Sequence, residues 1–385
     1  MHLLILHQAS VFGGAERTTR NLLEMLDRSV VQRISFAAPD ALRDLMPVAY
    51  DDYVNTANLI RHGYFVSPES LEQDIEATAR LLGEAGADVA LGMMHYSAAL
   101  VVKATANAGL STKTIASFRG PTSEYLSRYE QGTERIAFLR HTIADTSRLA
   151  DRILVPSQGT ADDTCTHFGA PRDRTIVIPN GIDAAAVRSA SLSPATGLES
   201  LDSALPLLCV AARLSVEKEL ELLIHAMRLV QRTRACTLVV VGDGPERANL
   251  EQQVAESGLT DHVVFVGHRQ NVYPYIHKAD LYVHTCQFEG FGYAMLEAMA
   301  CGTPVVATDC PHGPRDVLAD GACGVLVPPA DPNALATAIV QLLADDERRV
   351  ELTEAGKQRA DELSVERMVS SYQAVLSALV PERGA

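Results

Sequence analysis

Short apolar strands and helical stretches alternate along all 385 residues, and the fold class this predicts is α/β with two doubly wound parallel sheets. Three observations carry the prediction. The length suggests two domains. Two sets of strand-like runs occur, separated by a stretch without periodicity. Glycine-rich turns follow several of the runs, where open α/β sheets hold their ligands.

The first set begins with LLILH at 3–7, a Gly-Gly turn and a helix over 15–26. RISFAA at 33–38, DVALGM at 88–93, KTIASF at 113–118 and RILVPS at 152–157 continue it, with helices over 69–85 and 131–149. Residues 183–205, rich in Ser, Ala and Pro, read as the linker. The second set is PLLCVAA at 206–212, TLVVVGDG at 237–244, HVVFVG at 262–267, DLYVHT at 280–285 and TPVVAT at 303–308. The predicted organisation is a first domain over 1–182, a linker over 183–205 and a second domain over 206–364. A closing helical segment over 365–385 is expected to pack back on the first domain. Strand ends of both domains are expected to face a cleft.

Composition narrows the function. The net charge is −15. Residues 1–180 carry 17 Lys and Arg against 21 Asp and Glu, net −4, and residues 181–385 carry 16 against 27, net −11. That balance argues against general nucleic-acid binding, which needs clustered cations. Seven scattered cysteines without a CxxC pair read as reduced thiols of a cytosolic protein. The apolar start reads as a first strand and not a signal peptide, and no run of about 18 apolar residues exists to span a membrane.

Candidate site residues lie just after strands. Gly13 and Gly14 open a helix whose N–H groups could face an anion, or they form only a tight turn. Arg213 follows a strand, and Lys218 stands near the next helix. A guanidinium fork and a point charge together suit a diphosphate, although solvated surface charges would look the same. GDGPE at 242–246 lacks the third glycine of a dinucleotide fingerprint and reads as a structural turn.

The stretch EGFGYAMLEAMACGTPVV from Glu289 reads as a buried helix over 291–300 with a carboxylate, Glu297, in its middle. A buried charge must be satisfied. A ligand diol would do this, as would an ion pair or a backbone bond. Glu289 stands just before the turn, with seven residues between it and Glu297, and Gly290, Phe291 and Gly292 offer amides to phosphate. His95 and Arg119 sit at strand ends of the first domain. The sequence shows no HExxH, DxD, Cys/His cluster or GxxxxGK[ST].

Taken in order, GGAE at 13–16, IPNGID at 178–183, Arg213 with Lys218, GDGPE and the E-x7-E of Glu289 and Glu297 resemble a retaining glycosyltransferase of family 4. TDCPHGPRDVL at 308–318 resembles the subset that builds bacterial surface polysaccharides and lipopolysaccharide.

The resemblance implies a GT-B fold of two Rossmann-like domains. It implies transfer of a hexose-type sugar from a nucleotide diphosphate sugar, a UDP-sugar ahead of a GDP-sugar, to a hydroxyl of a glycan or lipid-linked acceptor. Arg213 and Lys218 would bind the diphosphate, Glu297 the ribose diol and Glu289 the sugar hydroxyls. Amides of Gly290, Phe291 and Gly292 would contact sugar and phosphate. The segment holding Gly267, His268 and Val272 would flank the base, and Gly13 and Gly14 would lie near the diphosphate. His95 or Arg119 would line the cleft in the first domain. No metal and no cofactor is expected, and the location implied is cytoplasmic, with weak attachment to the inner membrane face. One departure stands out: Glu219 follows Lys218 where the family commonly has glycine. Alternatives within the fold are a glycoside phosphorylase, a nucleotide-sugar epimerase or transfer to a small soluble acceptor. Outside enzymes, a sugar-nucleotide binding protein without turnover is the competing class.

Overall fold

A computed structural model of the chain describes residues 1–9, 13–61, 64–199 and 201–380. Ser200 of the predicted linker and the last five residues of the predicted closing segment lie outside them. The chain divides into unit 1, Met1–Gly181 with Val365–Ala385, and unit 2, Ile182–Ser364.

Among the described residues, unit 1 holds seven parallel strands: β1 (His2–His7), β2 (Arg33–Ala38), β3 (Asp52–Asn55), β4 (Val89–Met93), β5 (Lys113–Ser117), β6 (Arg152–Val155) and β7 (Thr175–Val177). Their order is β3-β2-β1-β4-β5-β6-β7. Alternate residues of a strand point to opposite faces. Leu4 and Leu6 therefore join one core with Leu100 and Ile153, while Leu3 and Ile5 join another with Leu22 and Phe36. The helix Val365–Leu379 packs into the second core through Met368, Val369, Tyr372 and Leu376.

Unit 2 holds β8 (Leu207–Ala211), β9 (Thr237–Val241), β10 (Val263–Gly267), β11 (Leu281–His284), β12 (Val305–Thr308) and β13 (Val325–Val327), in the order β10-β9-β8-β11-β12-β13. In each sheet the order reverses once, between β1 and β4 and between β8 and β11. At such a switch point neighbouring loops diverge to opposite faces and leave a crevice beyond the strand ends.

Three strands are absent from the sequence reading: β3, β7 and β13. Each is an edge strand of three or four residues, too short for a periodic signal. The stretch predicted as a linker is built into unit 2. Residues Ala184–Ser191 form a helix, and Ala184, Val187 and Leu198 join the core that holds Met295 and Leu296. The helix predicted over 291–300 spans Tyr293–Cys301, because Gly292 takes φ 105° and ends the preceding loop. A side chain there would be strained and its Cβ would come within 2.2 Å of the Met295 side chain.

Candidate active site

The best-defined constellation lies in unit 2, at the switch point between β8 and β11. The loop after β8 carries Arg213 and Lys218, and the loop after β11 carries Glu289. Two backbone-directed bonds stitch the loops together. Thr285 Oγ1 donates to the Lys218 carbonyl at 2.9 Å, and the Gln287 N–H donates to the Glu217 carbonyl at 2.9 Å. Lys218 Nζ then reaches Glu289 Oε2 at 2.7 Å. Both side chains are about four-fifths buried. Burial alone would push the Glu289 carboxyl up and the Lys218 ammonium down. Each is shifted the other way by its partner, so both stay charged.

Glu289 is also fixed through its backbone. Its N–H donates to the Pro311 carbonyl at 2.7 Å, and its carbonyl accepts from the N–H groups of His312 and Gly313 at 2.9 and 2.8 Å. The CPHGP stretch thus serves as a strap across the glycine loop. Gly290 N–H donates to Glu289 Oε1 at 3.2 Å. Phe291 is buried, and Gly290 and Gly292 flank it in the loop that leads into the helix.

Arg213 is exposed, on a loop pressed against the GDGPE turn. The Leu214 N–H donates to the Asp243 carbonyl, and the Glu246 N–H to the Leu214 carbonyl, both at 3.0 Å. A Cβ at Gly242 would sit 1.9 Å from the Ala212 carbonyl oxygen, so that glycine permits close backbone packing. Glu219, where glycine was the expected residue, takes φ 50° and ψ 39°. The turn after Lys218 therefore does need the left-handed region, and here a glutamate adopts it.

Glu297 is 5% exposed and accepts a hydrogen bond from the Tyr273 hydroxyl at 3.1 Å. Tyr273 opens the helix Tyr273–Lys278, directly after the segment that holds Gly267, His268 and Val272. His268 is exposed, while Val272 packs at the edge of the core around Met295. Asn271 Nδ2 ties this segment to the Ala190 carbonyl at 2.9 Å. The sequence reading missed Tyr273. The available signal was an aromatic hydroxyl at the first helical position after a glycine turn.

It also missed a cluster. His284, Cys286 and Glu289 bring one imidazole nitrogen, one thiol and one carboxylate oxygen within 4.8 Å of one another. The expectation of no Cys/His cluster fails here, because the end of β11 and the loop after it bring these three side chains together. The motif HTCQFE carries it, in a spacing that matches no familiar ligand pattern.

In unit 1 the loop after β1 enters the helix Gly14–Met25. The Gly13 N–H donates to Glu16 Oε2 at 2.8 Å, so this amide, expected to face an anion, is capped within the chain. Glu16 Oε1 lies 3.1 Å from His7 Nε2. Gly14 is exposed at the same turn. After β4, His95 stacks on Phe118 with ring centroids 4.8 Å apart and is hydrogen-bonded to the Thr122 hydroxyl. Burial pushes its pKa down to about 4. Arg119 donates to Thr18 Oγ1 at 2.9 Å, to Asn180 Oδ1 and to the Tyr372 hydroxyl at 3.1 Å. It thereby joins the first helix, the IPNGID stretch and the closing helix within unit 1.

Among the described residues, no helix is long and apolar enough to cross a membrane. All seven cysteines are free.

Two family models match in sequence: Glycosyltransferase Family 4 over residues 12–186 and Glycosyl transferases group 1 over residues 199–359. Alpha-D-kanosaminyltransferase of Streptomyces kanamyceticus is 34% identical over 152 residues, 39% of this chain and 39% of that one. A 4-alpha-N-acetylgalactosaminyltransferase of Campylobacter jejuni, named for a diphospho-undecaprenol substrate, is 27% identical over 226 residues, 58% of this chain and 60% of that one. The chain thus matches 39% to 60% of the length of these curated relatives. In fold it is similar to Anabaena HepE in complex with UDP, with TM-score 0.79, 21% identity and coverage of 98% of this chain and 100% of that one. One model matches in each α/β half and the fold likeness runs the length of the chain: the chain belongs to glycosyltransferase family 4 and has the GT-B fold.

Proposed function

We propose that the chain is a retaining glycosyltransferase that moves a hexose-type sugar from a nucleotide diphosphate sugar, a UDP-sugar first, to an acceptor hydroxyl without a metal ion. The observation that carries this is the Lys218–Glu289 pair at 2.7 Å, set at the switch point beside a glycine loop and the exposed Arg213.

As the bond from sugar to diphosphate breaks, negative charge grows on the leaving phosphate. The Lys218 ammonium and the Arg213 guanidinium stabilise that charge more in the transition state than in the ground state, which lowers the barrier. Amides of the 290–292 loop add to this. Glu289 holds sugar hydroxyls and keeps Lys218 protonated. Glu297, oriented by Tyr273, accepts hydrogen bonds from the ribose diol. The acceptor hydroxyl attacks on the face the phosphate leaves, and its proton passes to the departing phosphate. The acceptor is a lipid-linked or surface glycan. Support for that class comes from the resemblance carried by the CPHGP strap and from the undecaprenol-linked substrate in the name of the Campylobacter relative. Attachment to an anionic inner membrane face is weak, because residues 1–180 are net negative.

The test is release of nucleoside diphosphate from UDP-, GDP- and ADP-sugars in excess chelator, with anomeric configuration read by NMR. Activity that vanishes with chelator and returns with Mg²⁺ or Mn²⁺ refutes the metal-independent reading. Inversion at the anomeric carbon refutes retention. An enzyme that stays in the supernatant at low salt and glycosylates only small free acceptors refutes the membrane-face reading.

A further inference from the structure

We propose that His284, Cys286 and Glu289 form a binding site for a soft divalent cation, for which Zn²⁺ is the fitting ion. His284 ends β11, and the other two lie on the loop that follows. Their ligand atoms lie within 4.8 Å of one another, and His284 Nε2 stands 3.8 Å from Glu289 Oε2. In a tetrahedral site with bonds of about 2.0–2.3 Å, ligand atoms stand about 3.3–3.7 Å apart. The cluster is therefore within a small contraction of that geometry.

A second observation points to a ligand independently. The His284 side chain is 5% exposed, and among the described residues its Nε2 has no hydrogen-bond partner. An unsatisfied buried polar atom carries a cost that a coordinated ion removes. The space among the three groups is already shaped for positive charge. Lys218 Nζ stands there, 2.7 Å from Glu289 Oε2 and 3.9 Å from Cys286 Sγ. The donor set selects the ion. A thiolate with an imidazole and a carboxylate suits Zn²⁺, whereas Mg²⁺ and Ca²⁺ take oxygen ligands.

The charge and proton balance is simple. Cys286 gives up its thiol proton to solvent and binds as thiolate, His284 binds neutral and Glu289 binds as carboxylate. Water fills the fourth position. Lys218, about one-quarter exposed, turns away from Glu289 and stays protonated. A bound ion thus takes Glu289 from its lysine and from any sugar. That inhibitory consequence rests on the proposed function; the binding itself does not.

The experiment uses the full chain, stripped of metal and kept reduced, titrated with Co²⁺ as a spectroscopic probe for Zn²⁺. The expected result is a thiolate-to-cobalt charge-transfer band in the near ultraviolet, saturating at about one ion per chain and bleached by Zn²⁺. Cys286→Ser should abolish the band. His284→Gln should keep it but weaken affinity by at least about tenfold, since even indirect supports of a ligand are worth that much. No band in the unaltered chain overturns the proposal, as does a band undiminished in Cys286→Ser. If Cys286→Ser fails to fold, unchanged affinity in His284→Gln overturns it. Cobalt binding without any loss of nucleoside diphosphate release supports the site and removes Glu289 from the reaction, so the two readings fail separately.

Discussion

Lys218 and Glu289 are 71 positions apart in the chain and form an ion pair of 2.7 Å. The contact follows from sheet order. The strand Leu207–Ala211 lies beside Leu281–His284, so the loops leaving them meet. Before any ligand arrives, the cation expected on phosphate and the carboxylate expected on sugar neutralise each other.

This pairing separates the two cations of the phosphate clamp. Arg213 is exposed, so Arg213→Ala should change stability by about 0.5 kcal/mol or less. Lys218→Ala strands the Glu289 carboxylate in a largely buried place and should cost about 1–3 kcal/mol. Both should lower the single-turnover rate at saturating donor by about 100- to 1,000-fold. Arg213→Lys should restore only part of it, because a point charge cannot fork onto two oxygens. Near-normal single-turnover rates in both alanine variants would remove the clamp from the mechanism.

Glu297 and Tyr273 should act as a unit on donor affinity. Glu297→Gln leaves a good helix former in the helix Tyr293–Cys301 and should weaken donor binding by about 1.5–3 kcal/mol. Tyr273→Phe removes the hydroxyl that orients the carboxylate and should cost less, with a smaller loss when Glu297 is already Gln. Calorimetric titration of the single and double variants gives the coupling. Additive losses would mean the tyrosine acts elsewhere.

The left-handed backbone at Glu219 offers a test of stability alone. That conformation costs an L-residue about 1–2 kcal/mol, and glycine adopts it freely at an unfolded-state entropy cost of about 0.5–1 kcal/mol. Glu219→Gly should therefore stabilise the folded chain by about 0.5–1 kcal/mol in denaturant unfolding. A loss of stability would show that the glutamate side chain earns more in contacts than its backbone spends.

His95 makes stability depend on pH on the acid side. Burial lowers its folded pKa from 6.5 to about 4. Between those values the unfolded chain binds a proton that the folded chain does not. Stability from this group is complete above about pH 6.5 and is lost as pH falls towards 4. After allowance for partial exposure the loss is about 1–3 kcal/mol. His95→Gln should flatten unfolding free energy against pH across that window; an unchanged slope would place the titrating group elsewhere.

By itself the sequence determined the fold class and most of the strands, because buried parallel strands read as short apolar runs and ten of them stood out from their surroundings. It also marked Arg213, Lys218 and Glu289 in the stretches that follow strands, and Glu297 in the middle of a buried helix. The edge strands Asp52–Asn55, Thr175–Val177 and Val325–Val327 escaped it, since three or four residues carry no period. Only the tertiary structure decided which of the marked residues meet. It spent the Gly13 amide on Glu16 and tied Arg119 to Asn180 and Tyr372. It gave Glu297 a tyrosine for a partner and set His284 beside Cys286 and Glu289. The physical reason is that a strand's apolar run reports its own burial, while the identity of its neighbour depends on sheet order, and sheet order is a property of the packed chain.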